Sequence, residues 1–137
     1  MTLSLIVPVY NEEDSLPFLY QAITAALSQL EFPWELILVD DGSSDKSPEI
    51  LEELAKSDPQ HIRAIALRRN FGQTAAIAAG IDHAAGSIIV LMDADMQNDP
   101  ADIPLMLEKL DEGYDLVSGW RAKRQDTYIT RTLPSNI

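Results

Sequence analysis

Short apolar runs alternate along this chain with segments of helical periodicity, and this alternation limits the possible folds more than any other feature of the sequence. Five runs rich in Val, Ile and Leu have the length of strands that are buried on both faces. They span residues 3–9, 35–39, 62–67, 88–92 and 116–117. Because the connections suit right-handed crossovers, the order predicts an α/β fold with a doubly wound, mostly parallel sheet flanked by helices.

The intervening segments carry signals for where helices begin and end. Ser47 and Asp99 each precede a proline, so each is predicted to cap a helix that begins at that proline. Another helix is predicted from residue 14 or 15 to residue 30. A further helix over residues 73–85 is so rich in alanine that it must pack closely on the sheet. Gly86 and Gly113 follow two helices as stop signals.

The composition argues against several classes of function. The chain has 137 residues, no cysteine and two histidines, which disfavours a disulfide scaffold, a thiolate metal site and a Ser-His-Asp triad. Its 22 acidic and 10 basic residues give a net charge of -12, so nucleic acid is not an expected partner. Neither a membrane span nor a signal peptide is recognisable, and the chain taken alone is predicted to be soluble and cytoplasmic.

The end of the chain differs in composition from the rest. Residues 1–120 carry the apolar periodicity, whereas residues 121–137 are rich in Arg, Lys, Gln, Asp and Thr. We therefore predict a ligand-binding core over 1–120 and a basic, mobile and incomplete segment over 121–137. The chain stops at Ile137 without closing another structural unit, which favours a truncated protein.

Polar clusters follow the first two strands, at the edge where open parallel sheets bind ligands, and they suit a nucleoside. Tyr10 can stack on a base while Glu12 accepts hydrogen bonds from base or ribose. The alternative is a solvated acidic turn, which these residues taken alone favour. Asp41 can accept from the donor edge of uracil or guanine. It can equally belong to an Asp/Ser/Gly turn that leads into Ser47, although two adjacent aspartates exceed what such a turn requires.

The clusters after the last two strands suit a metal ion and a diphosphate. In extended chain Asp93, Asp95 and Gln97 point to the same side, and oxygen ligands of this kind suit Mg²⁺ or Mn²⁺. A surface turn is the alternative, but two carboxylates at a sheet mouth repel each other unless a cation lies between them. Arg121 can pair with a diphosphate or can be a surface arginine that covers Trp120.

Taken together and in this order, the clusters resemble the inverting nucleotide-sugar glycosyltransferases of family 2, which have the GT-A fold. The segments that carry the resemblance are VPVYNEE, VDDGSSDKS, RNFGQTAAIAAG, DADMQNDP and VSGWRAKRQD. They are most similar to the polyprenyl-phosphate branch, which includes dolichyl-phosphate mannose synthases and bacterial undecaprenyl-phosphate glycosyltransferases. The resemblance covers essentially the whole chain.

The resemblance implies roles for the matching residues. Asp93, Asp95 and Arg121 would be catalytic, and Asp95 and Gln97 would bind the metal directly. Lys123, Arg124 and Arg131 would lie in the acceptor loop. Gln73 departs from the lysine of many bacterial relatives, which leaves one cation fewer near the cleft. The full set implied to bind the nucleotide-sugar is Pro8, Tyr10, Glu12, Asp41, Asp93, Ala94, Asp95, Met96, Gln97 and Arg121.

The implied reaction is metal-dependent transfer of a sugar from a UDP- or GDP-sugar to a polyprenyl phosphate, either undecaprenyl or dolichyl phosphate. Relatives are longer, which implies that the whole protein acts at the cytoplasmic face of a membrane and contacts it through a portion beyond residue 137. Two alternatives are open. One is a family 2 transferase that acts on a saccharide hydroxyl, and the other is a nucleotide-binding module without catalytic activity.

Overall fold

A computed structural model of the chain describes residues 2–95, 99–111, 116–117 and 128–131. The strands in these ranges are Leu3–Val9 (β1), Trp34–Asp40 (β2), Ile62–Ala66 (β3), Ile88–Leu91 (β4), Leu116–Val117 (β5) and Tyr128–Arg131 (β6). The α-helices are Leu16–Leu27 (α1), Ser47–Ser57 (α2), Gln73–His83 (α3) and Ile103–Asp111 (α4), the last preceded by a 3₁₀ turn at Pro100–Asp102. Each predicted strand and helix is therefore present, with ends that differ by a few residues.

The strands form one sheet in the order β3-β2-β1-β4-β6-β5. β1 is parallel to both β2 and β4, and β2 is parallel to β3. β2 and β3 therefore lie on one side of β1, and β4 lies on the other, so the strand order reverses between β1 and β4. This reversal opens a crevice beyond the carboxyl ends of the two strands, where open α/β sheets bind ligands.

β6 was not predicted from the sequence. It is inserted antiparallel between β4 and β5, in a segment that we expected to be a mobile loop. β5 consequently runs in the same direction as β1 to β4, as predicted, but pairs with β6 instead of β4. The sequence did not predict this strand because it is only four residues long and follows a long polar stretch. Tyr128, Ile129 and Thr130 are nevertheless all residue types that favour strands.

Two hydrophobic layers enclose the sheet, one on each face. Alternate residues of β1, namely Leu3, Leu5, Val7 and Val9, pack with the buried faces of α1, α2 and α4. Ile6 points to the opposite face and packs with Ile37, Val39, Ile89 and Ala76 of α3. The alternation explains why the buried strands read as continuous apolar runs in the sequence.

The alanine-rich helix α3 packs closely on the sheet, as the sequence predicted. A Cβ atom at Gly80 would lie 2.5 Å from Cγ2 of Ile6, so the helix approaches closely because this residue has no side chain. The helix ends at His83, two residues before the predicted end. The backbone N–H of Ala85 donates to Oε2 of Glu35 at 2.7 Å, so this group does not take part in a helical hydrogen bond.

The helix caps confirm one sequence prediction and correct another. Asp99 caps the turn that leads into α4, because its carboxylate accepts from the N–H of Ala101 at 3.0 Å. The prediction that Ser47 caps α2 was wrong. Ser47 lies inside the helix, fully buried, and Asp45 accepts from its N–H at 2.8 Å. Its hydroxyl instead accepts from the N–H of Glu12 at 2.9 Å in the loop after β1.

The helices are between 9 and 12 residues long. In the part of the chain that the structure describes, none is long and apolar enough to cross a bilayer.

Candidate functional site

A pocket of about 220 Å³ lies at the carboxyl edge of the sheet, in the crevice between β1 and β4. It is lined by Pro8, Val9, Tyr10, Glu12, Asp41, Gln73, Asp93, Ala94 and Asp95. All the predicted donor-binding residues that the structure describes therefore lie in one pocket. Met96, Gln97 and Arg121 fall outside the described residues.

The loops that follow β1 and β2 are fastened together by hydrogen bonds. Asn11 is central, since its side-chain oxygen accepts from the N–H of Ser44 at 2.8 Å and of Asp45 at 3.3 Å. Its own N–H donates to the hydroxyl of Ser43 at 2.9 Å, and the N–H of Glu13 donates to Asp45 at 3.1 Å. We call this set of contacts between residues 11–13 and 43–47 the loop clasp. It fixes the position of Glu12 relative to Asp41 across the pocket.

The backbone of Asn11 has a φ of 53°, in the left-handed region. Asparagine is one of the few residues with a side chain that adopts this conformation readily. Asn11 therefore contributes to the loop clasp in two ways: it adopts the left-handed backbone angle, and its side-chain oxygen accepts the hydrogen bonds. The sequence analysis did not identify this role.

Asp41 has a structural task that does not depend on a ligand. The side chain is buried, at 4% exposure, and one carboxylate oxygen accepts from the N–H of Phe71 at 2.9 Å. The other oxygen accepts from the N–H of Gly72 at 3.1 Å and from the amide of Asn70 at 3.2 Å. The segment 70–72, which leads into α3, is thus held against the loop after β2. The predicted role of Asp41 in base recognition stays a prediction beside this observed one.

Gly42 allows this close approach of the two segments. Its φ is 75°, and a Cβ atom there would overlap the backbone of Arg69 and Asn70. A residue with a side chain at this position would push the segment 70–72 away from Asp41. The glycine in the Asp-Asp-Gly sequence is therefore required by both its backbone angle and its surroundings.

Four carboxylates line the pocket, and no basic residue lines it within the described part of the chain: the acids are Glu12, Asp41, Asp93 and Asp95. The pKa of Glu12 is raised above its ordinary value of 4.5, chiefly because burial disfavours the charged form. The negative charges of Asp95 and Asp45 raise it further, whereas a hydrogen bond from Ser15 opposes the rise. The described lining of the pocket is therefore acidic.

The carboxylates of the pocket are the type of ligand that a hard divalent cation prefers. Carboxylate and amide oxygens suit Mg²⁺ and Mn²⁺, and Mg²⁺ commonly takes one or two carboxylates and fills its other positions with phosphate and water. Among the described residues, no group of three or more His, Cys, Asp or Glu side chains could hold a metal ion. A metal at Asp95 would therefore need ligands from elsewhere, such as Gln97 and the phosphates of a ligand.

Tyr10 and Gln73 both line the pocket. Tyr10 is 48% exposed. The side-chain amide of Gln73 donates to Oδ1 of Asp93 at 3.0 Å. Sequence reasoning noticed Gln73 only as a missing cation. Its position at the start of α3, beside the carboxyl edge, is the signal that places it in the pocket.

Of the three predicted acceptor-loop residues, the structure describes only Arg131. Arg131 pairs with Ile88 in the antiparallel register, at the end of β4 farthest from the pocket. Tyr128, opposite Leu91, is the residue of β6 nearest the carboxyl edge. Lys123 and Arg124 lie outside the described residues.

The sequence matches the profile of a known family over almost its full length. The profile described as Glycosyl transferase family 2 covers residues 4–137. An undecaprenyl-phosphate 4-deoxy-4-formamido-L-arabinose transferase from Pectobacterium carotovorum is 48% identical over 134 residues, which are 98% of this chain and 41% of the relative. The enzyme of that name from Photorhabdus laumondii is 50% identical over 129 residues, 94% of this chain and 40% of the relative. The chain thus spans about two fifths of the length of these curated relatives.

Solved glycosyltransferase structures share the fold. A mannosyltransferase from Pyrobaculum calidifontis in complex with GDP-Man and Mn²⁺ superposes with a TM-score of 0.71 at 20% identity, covering 94% of this chain and 44% of that one. Glucosyl-3-phosphoglycerate synthase from Mycobacterium tuberculosis, in complex with Mn²⁺, UDP and phosphoglyceric acid, gives 0.71 at 19% identity, covering 96% and 56%. The predicted GT-A fold is confirmed.

Proposed function

This chain belongs to glycosyl transferase family 2, and we propose that the protein containing it transfers a sugar from a UDP- or GDP-sugar to a polyprenyl phosphate with inversion at the anomeric carbon. The observation that carries the proposal is the acidic pocket at the carboxyl edge, which gathers Glu12, Asp41, Asp93 and Asp95 where a nucleotide can reach them. The names of the relatives at 48% and 50% identity supply the class of acceptor.

The nucleoside end of the donor occupies the side of the pocket formed by Pro8, Tyr10, Glu12 and Asp41 in this proposal. The exposed ring of Tyr10 stacks on the base, and the carboxylates of Glu12 and Asp41 accept hydrogen bonds from base and ribose. The loop clasp supports this role because it holds both loops in place before a ligand arrives, so binding costs less conformational entropy.

The diphosphate end occupies the side formed by residues 93–95. Asp95 and Gln97 would hold a divalent metal there, which when bound offsets the negative charge of the donor and of the departing nucleoside diphosphate. Asp93 and Ala94 border the same end of the pocket, and Arg121 is proposed to meet the diphosphate with its forked guanidinium donors. Mn²⁺ accompanies the nucleotide in both of the structural neighbours described above.

The acceptor in this proposal is a lipid phosphate, which needs positioning more than deprotonation. A phosphate monoester has a second pKa of about 6 and so is largely ionised at neutral pH. Cations rather than a general base are then the groups required on the acceptor side, and Lys123 and Arg124 are the proposed source. Arg131 is left out because it pairs with Ile88, at the end of β4 farthest from the pocket. Because such an acceptor resides in a bilayer, we place the whole protein at the cytoplasmic face of a membrane.

A transfer assay with the whole protein tests this function. The donors are UDP- and GDP-linked sugars, beginning with 4-deoxy-4-formamido-L-arabinose, the sugar in the relatives' names. The acceptors are undecaprenyl phosphate, the matched alcohol undecaprenol and a free saccharide. Of the three acceptors, we expect only undecaprenyl phosphate to give product, and only when Mg²⁺ or Mn²⁺ is present. Transfer to a hydroxyl would contradict the acceptor class, and nucleotide binding without any transfer would indicate a binding module.

A further inference from the structure

We propose that Arg68, Arg69 and Phe71 form a binding site for the phosphate headgroups of an anionic bilayer, and we call these three residues the headgroup patch. The inference extends the proposed function, because a lipid phosphate acceptor has to reach the donor pocket from a membrane surface. The described lining of that pocket contains none of the three residues. The headgroup patch lies instead in the segment between β3 and α3.

The positive charge of the headgroup patch is open to solvent. Arg68 and Arg69 are both exposed, and neither forms an ion pair with a carboxylate in the described part of the chain. Together with Phe71 they line a cavity of about 430 Å³, to which no described acidic residue contributes. Two guanidinium groups beside one cavity suit phosphate, because each presents parallel N–H donors that match the phosphate oxygens.

Phe71 gives the headgroup patch an apolar part. The residue is 51% exposed, and Cζ of Arg69 lies 4.7 Å from the centre of its ring. This cation–π contact holds the guanidinium over the ring without neutralising its charge. An exposed aromatic ring beside arginines suits the headgroup region of a bilayer, where the ring meets apolar chains and the cations meet phosphates.

The backbone that carries the headgroup patch is fixed by neighbouring loops. The N–H of Phe71 donates to the buried carboxylate of Asp41 at 2.9 Å, and the side-chain amide of Asn70 donates to the same carboxylate at 3.2 Å. The absence of a side chain at Gly42 lets the backbone of Arg69 approach the loop after β2. Binding by a loop that is already held in place costs less conformational entropy than binding by a flexible segment.

The headgroup patch lies on the same edge of the sheet as the donor pocket. Arg68 follows the carboxyl end of β3, and the pocket is at the carboxyl edge between β1 and β4. Other large apolar side chains exposed in the described part of the chain, Tyr10, Phe18 and Leu105, also lie in the loop or first helical turn after a strand. This edge is therefore the one that suits contact with an apolar interface.

The net charge of -12 does not prevent this contact. At physiological ionic strength the screening length is about 8 Å, so the charges nearest the bilayer determine whether the chain binds. One arginine at an anionic membrane surface strengthens binding by about fivefold.

The test measures cosedimentation of this chain with vesicles of phosphatidylcholine alone and of equal parts phosphatidylcholine and phosphatidylglycerol. The variants are Arg68→Gln, Arg69→Gln, the double variant and Phe71→Ala. The matched control is Lys56→Gln, which removes one exposed positive charge near the end of α2, at the opposite edge of the sheet. Urea unfolding of each variant checks its stability, which we expect to change little because these side chains are exposed.

We expect the parent chain to bind only the anionic vesicles. Each arginine substitution should weaken this binding by about fivefold, and the double variant by about 25-fold. At about 1 M salt, where the screening length is about 3 Å, the parent and the double variant should bind alike. Phe71→Ala should weaken binding without changing its salt dependence, and Lys56→Gln should bind like the parent. A purely structural role would lower stability without changing the preference for anionic vesicles.

Two results would overturn the inference: absence of binding by the parent chain to the anionic vesicles, or equal binding at low salt by the parent and the double variant. Calorimetry with inorganic phosphate at matched ionic strength distinguishes a bilayer from a soluble anion. Phosphate binding that the double variant loses, without any binding to vesicles, would identify a soluble-anion site and contradict the membrane assignment. Titration of the parent chain with UDP and GDP in the presence of Mn²⁺ needs no vesicles, so a failure of the donor site is measured separately.

Discussion

Replacing Asn11 should separate the two ways in which this residue holds the loop clasp. Asn11→Ala forces a residue with a Cβ atom into a φ of 53° and also removes the oxygen that accepts from Ser44 and Asp45. Asn11→Gly removes the same oxygen but tolerates the backbone angle without strain. Comparing the two variants isolates the cost of the left-handed backbone.

The magnitudes follow from the contacts. The left-handed conformation costs a residue such as alanine about 1–2 kcal/mol. The two backbone hydrogen bonds are worth about 0.5–1.5 kcal/mol each, and the lower end applies because Asn11 is exposed to solvent. We therefore expect Asn11→Ala to lower the free energy of unfolding by about 2–4 kcal/mol and Asn11→Gly by about 1–2 kcal/mol.

Urea unfolding monitored by circular dichroism measures both values, and the slope of the free energy with urea shows whether the unfolding stays two-state. Equal losses for alanine and glycine would refute the backbone argument. Losses below about 0.5 kcal/mol for both variants would refute the clasp itself, since surface substitutions without a structural role fall in that range.

Three further predictions follow from the same geometry. Burial and the charge of Asp95 raise the pKa of Glu12 above 4.5, so the contribution of this group to folding stability is present below that pH and is lost as the pH rises through the higher native pKa. In a ¹³C NMR titration, Asp95→Asn should lower the pKa of Glu12 and Asp14→Asn should not. An unchanged pKa in Asp95→Asn would contradict the interaction between the two carboxylates. Gly42→Ala, whose Cβ overlaps the backbone of Arg69, should cost about 3 kcal/mol in urea unfolding, and a neutral result would mean that the segment 70–72 can move away freely. Asp99→Ala should cost only the cap, about 0.5–2 kcal/mol by thermal unfolding, and should leave Mn²⁺ affinity intact; a loss of metal binding would show that the acidic site extends to Asp99.

The sequence predicted the fold well because periodicity reflects burial. The runs that became β1, β2 and β4 are mostly apolar, since these strands are buried on both faces. The prediction of burial on both faces was wrong for β3, an edge strand whose residues are mostly exposed. β6 was missed because a four-residue strand within a polar stretch has too little periodicity to stand out. The ends of α1 and α3 moved because individual contacts, such as the one between Ala85 and Glu35, decide where a helix stops.

The pocket could be predicted in outline but not in its contacts. Residues that directly follow parallel strands meet at one edge of a sheet, so Glu12, Asp41 and Asp93 could be grouped from their positions alone. The partners of Asn11, Ser47 and Asp41 could not, because these hydrogen bonds join loops about thirty residues apart and depend on how the loops fold back. Ser47 is an example. The local sequence favoured a helix cap, but its hydroxyl accepts a hydrogen bond from the N–H of Glu12, in a loop that is distant along the chain.

The most direct test of the central claim is the metal dependence of nucleotide binding by this chain. Calorimetric and thermal-shift titrations with UDP and with GDP, each with and without Mn²⁺, need no acceptor. A ligand at 100 times its dissociation constant should stabilise the fold by about 2.7 kcal/mol. We predict that one nucleotide binds only with Mn²⁺ and that Asp95→Ala abolishes this binding, whereas Asp14→Ala does not. Nucleotide and Mn²⁺ binding unchanged in Asp95→Ala would contradict the assignment of the pocket as a metal-dependent donor site.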